Sequence, residues 1–498
     1  MVPFTHLLAG RGLRSPRVAI GVRRLYSSNA TSDQTRFSYF FPAHTEADYG
    51  HIFAKLEDSG VLTNTDGHDA AVILATPNFA RQLEDSDLVS RFAKALCGSS
   101  DVTEFHVLCA IVDHVTPALG ESGKMHGFSI LRGRLHDTLP ELWLPSPPRS
   151  REDMDSVSAL TFNLGNPSVT LPLARTTFQN NRASTLLTSR FDMTQGTAKL
   201  AQSGEKYSQC INILLDEPPR STADLGLWAP LSPITRARVV TESFGNIIRG
   251  VEVDGKSQPA STELEDSVDT MFKYRTSSDA TPGPMGVWAM VSPVPEPDNA
   301  PDPTPILQGK GATRDAVEIT AQYIEEEFGS GGYLFQILSG GGGWGAKKGL
   351  LSLDPQRTHF SLSEEEEMTR FMQTMENSGF APAGSQIQFY VPAQAPEEDT
   401  TTKASGVVFG VPGEAETSKD AEIPAAGYLV DGHFGGLSSR GVFISAPPKS
   451  EAGVAYESKL SAPNSRVFAG KDGGEGSGLL GFLGAGELAD AGTIALMQ

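Results

Sequence analysis

The chain of 498 residues carries 40 lysines and arginines against 60 aspartates and glutamates, a net charge of −20, so its field repels phosphate backbones and excludes general nucleic-acid coating. Hydrophobic residues at 39%, charged residues at 20%, 51 glycines and 33 prolines are those of a globular protein, the last two together falling below the ~25–30% of a low-complexity chain. Three cysteines, Cys97, Cys109 and Cys210, are too few for a disulfide framework and lack paired zinc spacing, which fits a reducing compartment.

Residues 1–32 read as an address. No acidic residue precedes Asp33, while Arg11, Arg14, Arg17, Arg23 and Arg24 punctuate an apolar, then serine-bearing stretch. That is the composition of a mitochondrial transit peptide, drawn inward by its positive charge. Arg24-Leu-Tyr26 ahead of Ser27 resembles the cleavage pattern of fungal matrix presequences, and a retained basic arm is the alternative. No later run approaches the ~18–20 apolar residues of a transmembrane helix. The expected destination is therefore the matrix, with no transmembrane segment.

An N-terminal α+β unit is expected over 40–255. Tyr49, Ile52, Phe53 and Leu56 recur at helical spacing before Gly60. Asp69-Ala-Ala-Val-Ile-Leu-Ala-Thr-Pro77 predicts a buried strand, Leu88, Phe92 and Leu96 one face of a helix, and residues 105–112 and 127–131 further strands. Beyond the turn chemistry of 143–148, short strands at 159–162, 169–173, 211–215 and 246–253 favour antiparallel pairing. Residues 256–305 are polar, then proline-rich, and read as a linker holding one strand near 285–291.

A C-terminal α+β unit follows over 306–467. Thr313 caps a helix with Val317, Ala321, Ile324 and Phe328 on one side, and a strand at 333–338 enters a glycine loop. Ser363 and Glu366 form a capping box for another helix, which accounts for the acidic run 364–367. Strands resume at 387–391, 406–411, 427–430 and 441–445, around an acidic insert at 396–424, and a glycine-rich tail occupies 468–498. The expected fold is α+β: mixed and antiparallel sheets, flanking helices, two related or packed halves and a disordered N-terminal presequence.

The strongest local signal for chemistry is Ser339-Gly-Gly-Gly-Gly-Trp-Gly-Ala-Lys-Lys-Gly349. Gly340, Gly341, Gly342 and Gly343 expose main-chain N–H groups suited to an anion, with Trp344 as a lid and Lys347 and Lys348 beside it. It is not a Walker A loop, since Ala346 stands at the lysine position, and the following segment is too extended to supply the helix a dinucleotide needs. A tight connection folding Trp344 over an apolar groove is the plain alternative. A second donor-rich stretch, 171–187, places Arg175 and Arg182 between apolar runs, where a guanidinium forks onto a carboxylate. Its plain alternative is a polar hairpin tip. No cofactor or metal motif is legible. His433, in the turn-like Asp431-Gly-His433, is the only acid/base candidate near glycines.

The order strand, helix, strand over 70–112, the strand-rich continuation, Ser339-Gly-Gly-Gly-Gly-Trp-Gly and Gly349-Leu-Leu-Ser-Leu-Asp-Pro355 together resemble fungal mitochondrial proteins that carry the FIST domain, over about 45–250 and 306–467. The resemblance implies a sensory or regulatory module for a small ligand, an amino acid or other anion, without catalytic machinery. It supplies no site residue, and no kinase or other output domain is attached here. Two other functions stay open. One is an enzyme acting on an anionic metabolite through loop 339–349, with His433 as acid/base. The other is a mitochondrial assembly or gene-expression factor that binds a protein partner through the acidic or proline-rich segment.

Overall fold

A computed structural model describes residues 34–42, 49–58, 62, 67–97, 101–115, 118–119, 125–145, 157–194, 197–275, 286–293, 299–310, 312–340, 349–355, 380–393, 402–403, 406–413, 427–446 and 456–469. The expected presequence, the helix after Ser363 and all of the tail beyond Ala469 lie outside them.

The apolar run of Ala70–Ala75 is buried along its whole length because it lies inside a seven-stranded sheet covered on both faces. The strands lie in the order Tyr428–Asp431, Thr35–Pro42, Met125–Gly133, Ala70–Ala75, Glu104–Ile111, Leu186–Thr194 and Thr197–Glu205. Only Ala70–Ala75 and Glu104–Ile111 are parallel. The parallel pair needs a crossover, which the helix Ser86–Leu96 supplies. Its Asp85 cap accepts from the Asp87 amide, and Leu88, Val89, Phe92, Ala93 and Leu96 are buried with Ile52, Phe53 and Leu56 of Tyr49–Asp58.

On the opposite face Phe162 of the strand Ala159–Asn163 stacks on Phe409 at 4.2 Å between ring centroids and meets Phe434 edge-on at 5.9 Å. Phe409 and Phe434 belong to the parallel strands Gly406–Gly410 and His433–Leu437 of a four-stranded sheet, which also holds Gly226–Trp228 and Arg466–Ala469. A five-stranded sheet, Ser208–Asn212, Ala159–Asn163, Ser168–Pro172, Val442–Ala446 and Tyr456–Leu460, adjoins it.

The remaining long strands form a closed path. Gln386–Pro392, Arg238–Phe244, Ile247–Val253, Leu351–Leu353, Tyr333–Gly340 and Trp288–Ser292 pair in turn, and the last pairs back onto the first. Closure removes the exposed edges that such a sheet would otherwise present. The core here, including Val240, Ile248, Val251, Phe335 and Phe389, is covered by the helix Ala260–Arg275 through Ala260, Leu264 and Met271.

The α+β class with mixed and antiparallel sheets is therefore the observed one. The boundaries between two units need correction, because each of the four sheets named here combines strands from 40–255 with strands from beyond 305. The described residues all belong to one compact unit. The segment 256–305 is likewise more than a linker. It carries the strand Lys256–Pro259, the helix Ala260–Arg275 with its i, i+4 apolar positions Ala260, Leu264, Val268 and Phe272, and the central strand Trp288–Ser292. Composition reported its exposed face and hid its buried one. Among the described residues no helix is long and apolar enough to cross a membrane.

The helix Arg314–Gly329 starts at the expected Thr313 cap, whose hydroxyl accepts from the Ala316 amide. Its Glu325 carboxylate accepts from the Leu227 amide at 3.2 Å, and burial raises its pKa from the ordinary 4.5 to about 7. Because the folded-state value lies above the unfolded one, this group's contribution to stability is complete below about pH 4.5 and is lost as pH rises through about 7. Glu325→Gln, which keeps an acceptor for Leu227, is expected to flatten that decline, raising stability at pH 8 by about 1–2 kcal/mol once partial solvent contact is discounted. Thermal midpoints of both proteins at pH 5 and pH 8 check this. Parallel pH slopes would remove Glu325 as the cause.

Candidate functional site

In sheets with parallel strands, ligands gather at the carboxyl ends, where backbone and loops leave room. At that end of the pair Ala70–Ala75 and Glu104–Ile111, three loops are drawn together by main-chain bonds. Val112 donates to the Ala75 carbonyl at 2.9 Å, Ala174 donates to Ile111 at 2.9 Å, and Leu437 donates to His114 at 2.8 Å. These bonds bring Arg175 and Arg440, which follow Ala174 and Leu437 closely in sequence, to one edge.

Asp113 organises the third loop. One of its carboxylate oxygens accepts from both the amide and the hydroxyl of Ser439, each at 2.8 Å, and Arg440 donates its amide to Ser438 Oγ at 3.3 Å. Arg440 is half-buried. Its pKa is lowered first by burial and then by the charge of Arg175, with Asp113 acting in the opposite sense. Its Nε is buried and meets no hydrogen-bond acceptor among the described residues. Among the described residues, a half-buried guanidinium with an unused Nε–H donor in range of a second guanidinium suits a carboxylate or phosphate group.

Arg175 is exposed on this edge. Arg182, four residues past the Phe178 tip, is committed elsewhere. Its Nε donates to Glu84 at 2.6 Å and its Nη1 to Glu205, and the Glu84 bond is the first cause of its raised pKa. It clamps the loop to the 3-10 turn Gln82–Glu84 and to the strand Thr197–Glu205. Asn180 reinforces the clamp by donating to Glu84 and Thr185. The two arginines of stretch 171–187 therefore serve different neighbours, although Thr176 and Arg182 form a bridge between them. Phe178, on the four-residue helix Thr177–Asn180, is 97% exposed beside this edge.

Of the glycine loop, Gly340 ends the strand Tyr333–Gly340, while Gly341, Gly342, Gly343, Trp344, Lys347 and Lys348 lie outside the described residues. The loop's ends are informative. Gly340 pairs with Leu351, so residues 341–350 connect two adjacent antiparallel strands. Gly349, at φ +90°, packs against Pro259, and its carbonyl accepts from the Ser261 amide at 3.3 Å. This connection belongs to the closed sheet, whereas the loops that carry Arg175 and Arg440 are bonded to the carboxyl end of Glu104–Ile111 and to His114 beyond it.

His433 is not in a turn. It begins the strand His433–Leu437 at 0% exposure, with Nδ1 2.7 Å from Ser38 Oγ, and Ser38 donates in turn to Ser129 Oγ at 2.9 Å. Ser129 Oγ also accepts from the Gly435 amide. This is a polar seam joining the seven-stranded and four-stranded sheets, remote from solvent, and it withdraws His433 from the acid/base role expected at a pocket mouth. The cysteines are all reduced, and burial pushes the Cys109 thiol up to about 12, which makes it an inert core group. Among the described residues no cluster of three or more His, Cys, Asp or Glu has the makings of a metal site.

Arg440, Asp113 and Ser439 escaped sequence reasoning. Asp113 lies over 300 residues from the adjacent Ser439 and Arg440, and the run Gly435-Gly-Leu-Ser-Ser-Arg440 is the local trace of a loop built for close approach. Comparison with protein-family models, with curated proteins and with solved structures finds no match to this chain.

Proposed function

We propose that this protein is a FIST-like sensory or regulatory module of the mitochondrial matrix that binds a small ligand by its anionic group between Arg175 and Arg440. The observation that carries the reading is the half-buried Arg440 guanidinium, facing a second cation and keeping a buried N–H without an acceptor among the described residues. A buried donor left unmet costs about 1–3 kcal/mol, and an incoming carboxylate or phosphate recovers it. Binding is favoured over turnover because Ser439 and Asp113, a hydroxyl and a carboxylate at this edge, are already engaged with each other. The presequence-like composition of residues 1–32 supports the compartment, and the strand, helix, strand order supports the family type.

The test is calorimetric and thermal-shift titration of the full chain against amino acids, dicarboxylates and nucleotides at fixed ionic strength. A carboxylate- or phosphate-bearing compound is expected to bind saturably. Arg440→Met is expected to weaken it about 10-fold or more through loss of charge-assisted hydrogen bonds, and Arg175→Met to weaken it less. Equal affinity in Arg440→Met, or no saturable binding by any of these compounds, overturns the proposal.

A further inference from the structure

The helix-covered face of the seven-stranded sheet holds another cation that plays no part in the edge just described. Arg132, on the strand Met125–Gly133, is directly opposite Thr35 on one neighbour and Ala71 on the other. Strand alternation puts it on the same face as Phe128 and Ile130, and Thr35 on the same face as Phe37, beneath the helices Tyr49–Asp58 and Ser86–Leu96. This is the amino end of the parallel pair and the face away from Phe162, so it is separate from Arg175 and Arg440.

Arg132 is 0% exposed, and its Nε, Nη1 and Nη2 find no hydrogen-bond acceptor among the described residues. Thr35 Oγ1, its cross-strand neighbour, is also buried without a partner there. Two orphaned polar groups therefore stand directly opposite each other on adjacent strands and on one face of the sheet. Cys97, a free cysteine, is the one group among the described residues whose charge acts on Arg132, and no carboxylate does. A guanidinium buried in this state is among the costliest arrangements a core can hold, and buried charges are ordinarily paired.

We propose that Thr35 and Arg132 hold a small monovalent anion, a halide or a short carboxylate, as an internal site of the fold. One negative charge balances one guanidinium, whereas a dianion would leave excess charge among Phe37, Ile73 and Ile130. The residue opposite Arg132 on the other neighbouring strand is the small Ala71. Thr35 keeps part of its surface in solvent although its hydroxyl is buried, which gives a small ion a route from the strand's amino end. The Thr35 hydroxyl and the Arg132 fork then donate to the same anion.

The full chain is titrated with sodium chloride and, separately, sodium formate, ionic strength being held with sodium gluconate, whose anion is too large for the site. The thermal midpoint is expected to rise saturably with chloride, with formate, or with both, and the responding salt identifies the source. The rise is expected to persist in Arg440→Met, which separates this site from the edge proposed above. It is expected to need about 10-fold more anion in Thr35→Val and to vanish in Arg132→Met, a variant that is expected to fold because it replaces an uncompensated buried charge by an apolar chain. A bromide-soaked crystal is expected to show the anion between Thr35 Oγ1 and the Arg132 guanidinium. No saturable rise with either salt, an equal rise in Thr35→Val, or no bromide at that position overturns the proposal.

Discussion

Gly435→Ala is expected to abolish the native fold or to cost about 4–5 kcal/mol or more, the range of substitutions that force a backbone clash in a core. A Cβ at Gly435 would lie 1.7 Å from the Val408 carbonyl oxygen, and the atom it meets is main chain of the hydrogen-bonded neighbouring strand. Relief in the other direction is barred, because the Gly435 amide donates at 2.9 Å to Ser129 Oγ in the seven-stranded sheet. The adjacent Gly436→Ala is the control. There the new Cβ meets the side chain of Val112 at 3.1 Å, which can shift by a few tenths of an ångström, so the expected loss is about 1 kcal/mol. Soluble yield, circular dichroism and thermal unfolding of the two variants decide the matter, and a Gly435→Ala protein with an unchanged midpoint would refute the close strand approach.

Phe162→Ala ranks second, with an expected loss of about 3–5 kcal/mol from the cavity left by a fully buried ring. Its value lies in how the loss is distributed. Phe162 comes from the first half of the chain, and its ring partners Phe409 and Phe434 come from the second. If strands from both halves make one cooperative body, urea unfolding followed by tryptophan fluorescence and by far-ultraviolet circular dichroism shifts by the same midpoint. If the halves were independent, one transition would move and another would stay. Phe162→Leu, which keeps most of the volume, is expected to lose less than half as much.

Within the seven-stranded sheet, the elements legible in advance are those whose pattern is dense and local. Ala70–Ala75 is all apolar and ends at a proline, Ser86–Leu96 has three large residues at helical spacing, and Thr313 stands at the cap of a periodic run. The strand Thr35–Pro42 follows the presequence-like stretch directly and was hidden by it, although its buried aromatics hold the sheet between Tyr428–Asp431 and Met125–Gly133. The strand His433–Leu437 passed for a turn because its glycines serve a close strand contact, and the same residue type marks both situations in a sequence.

At the candidate site, Arg175 was legible because a polar cluster between two apolar runs stands out locally. Arg182 was equally legible, and its carboxylate partners Glu84 and Glu205 were not, since each lies far along the chain. Arg440 and Asp113, and likewise Thr35 and Arg132, acquire meaning only from strand register. What the amino-acid order determined by itself is the set of local elements, the α+β class and the negative surface, because helical and strand periodicity and net charge are properties of neighbouring residues. Which strands share a sheet, and which charges are left without a partner, was decided by the tertiary structure alone, because pairing and burial join residues separated by as many as several hundred positions that no local pattern connects.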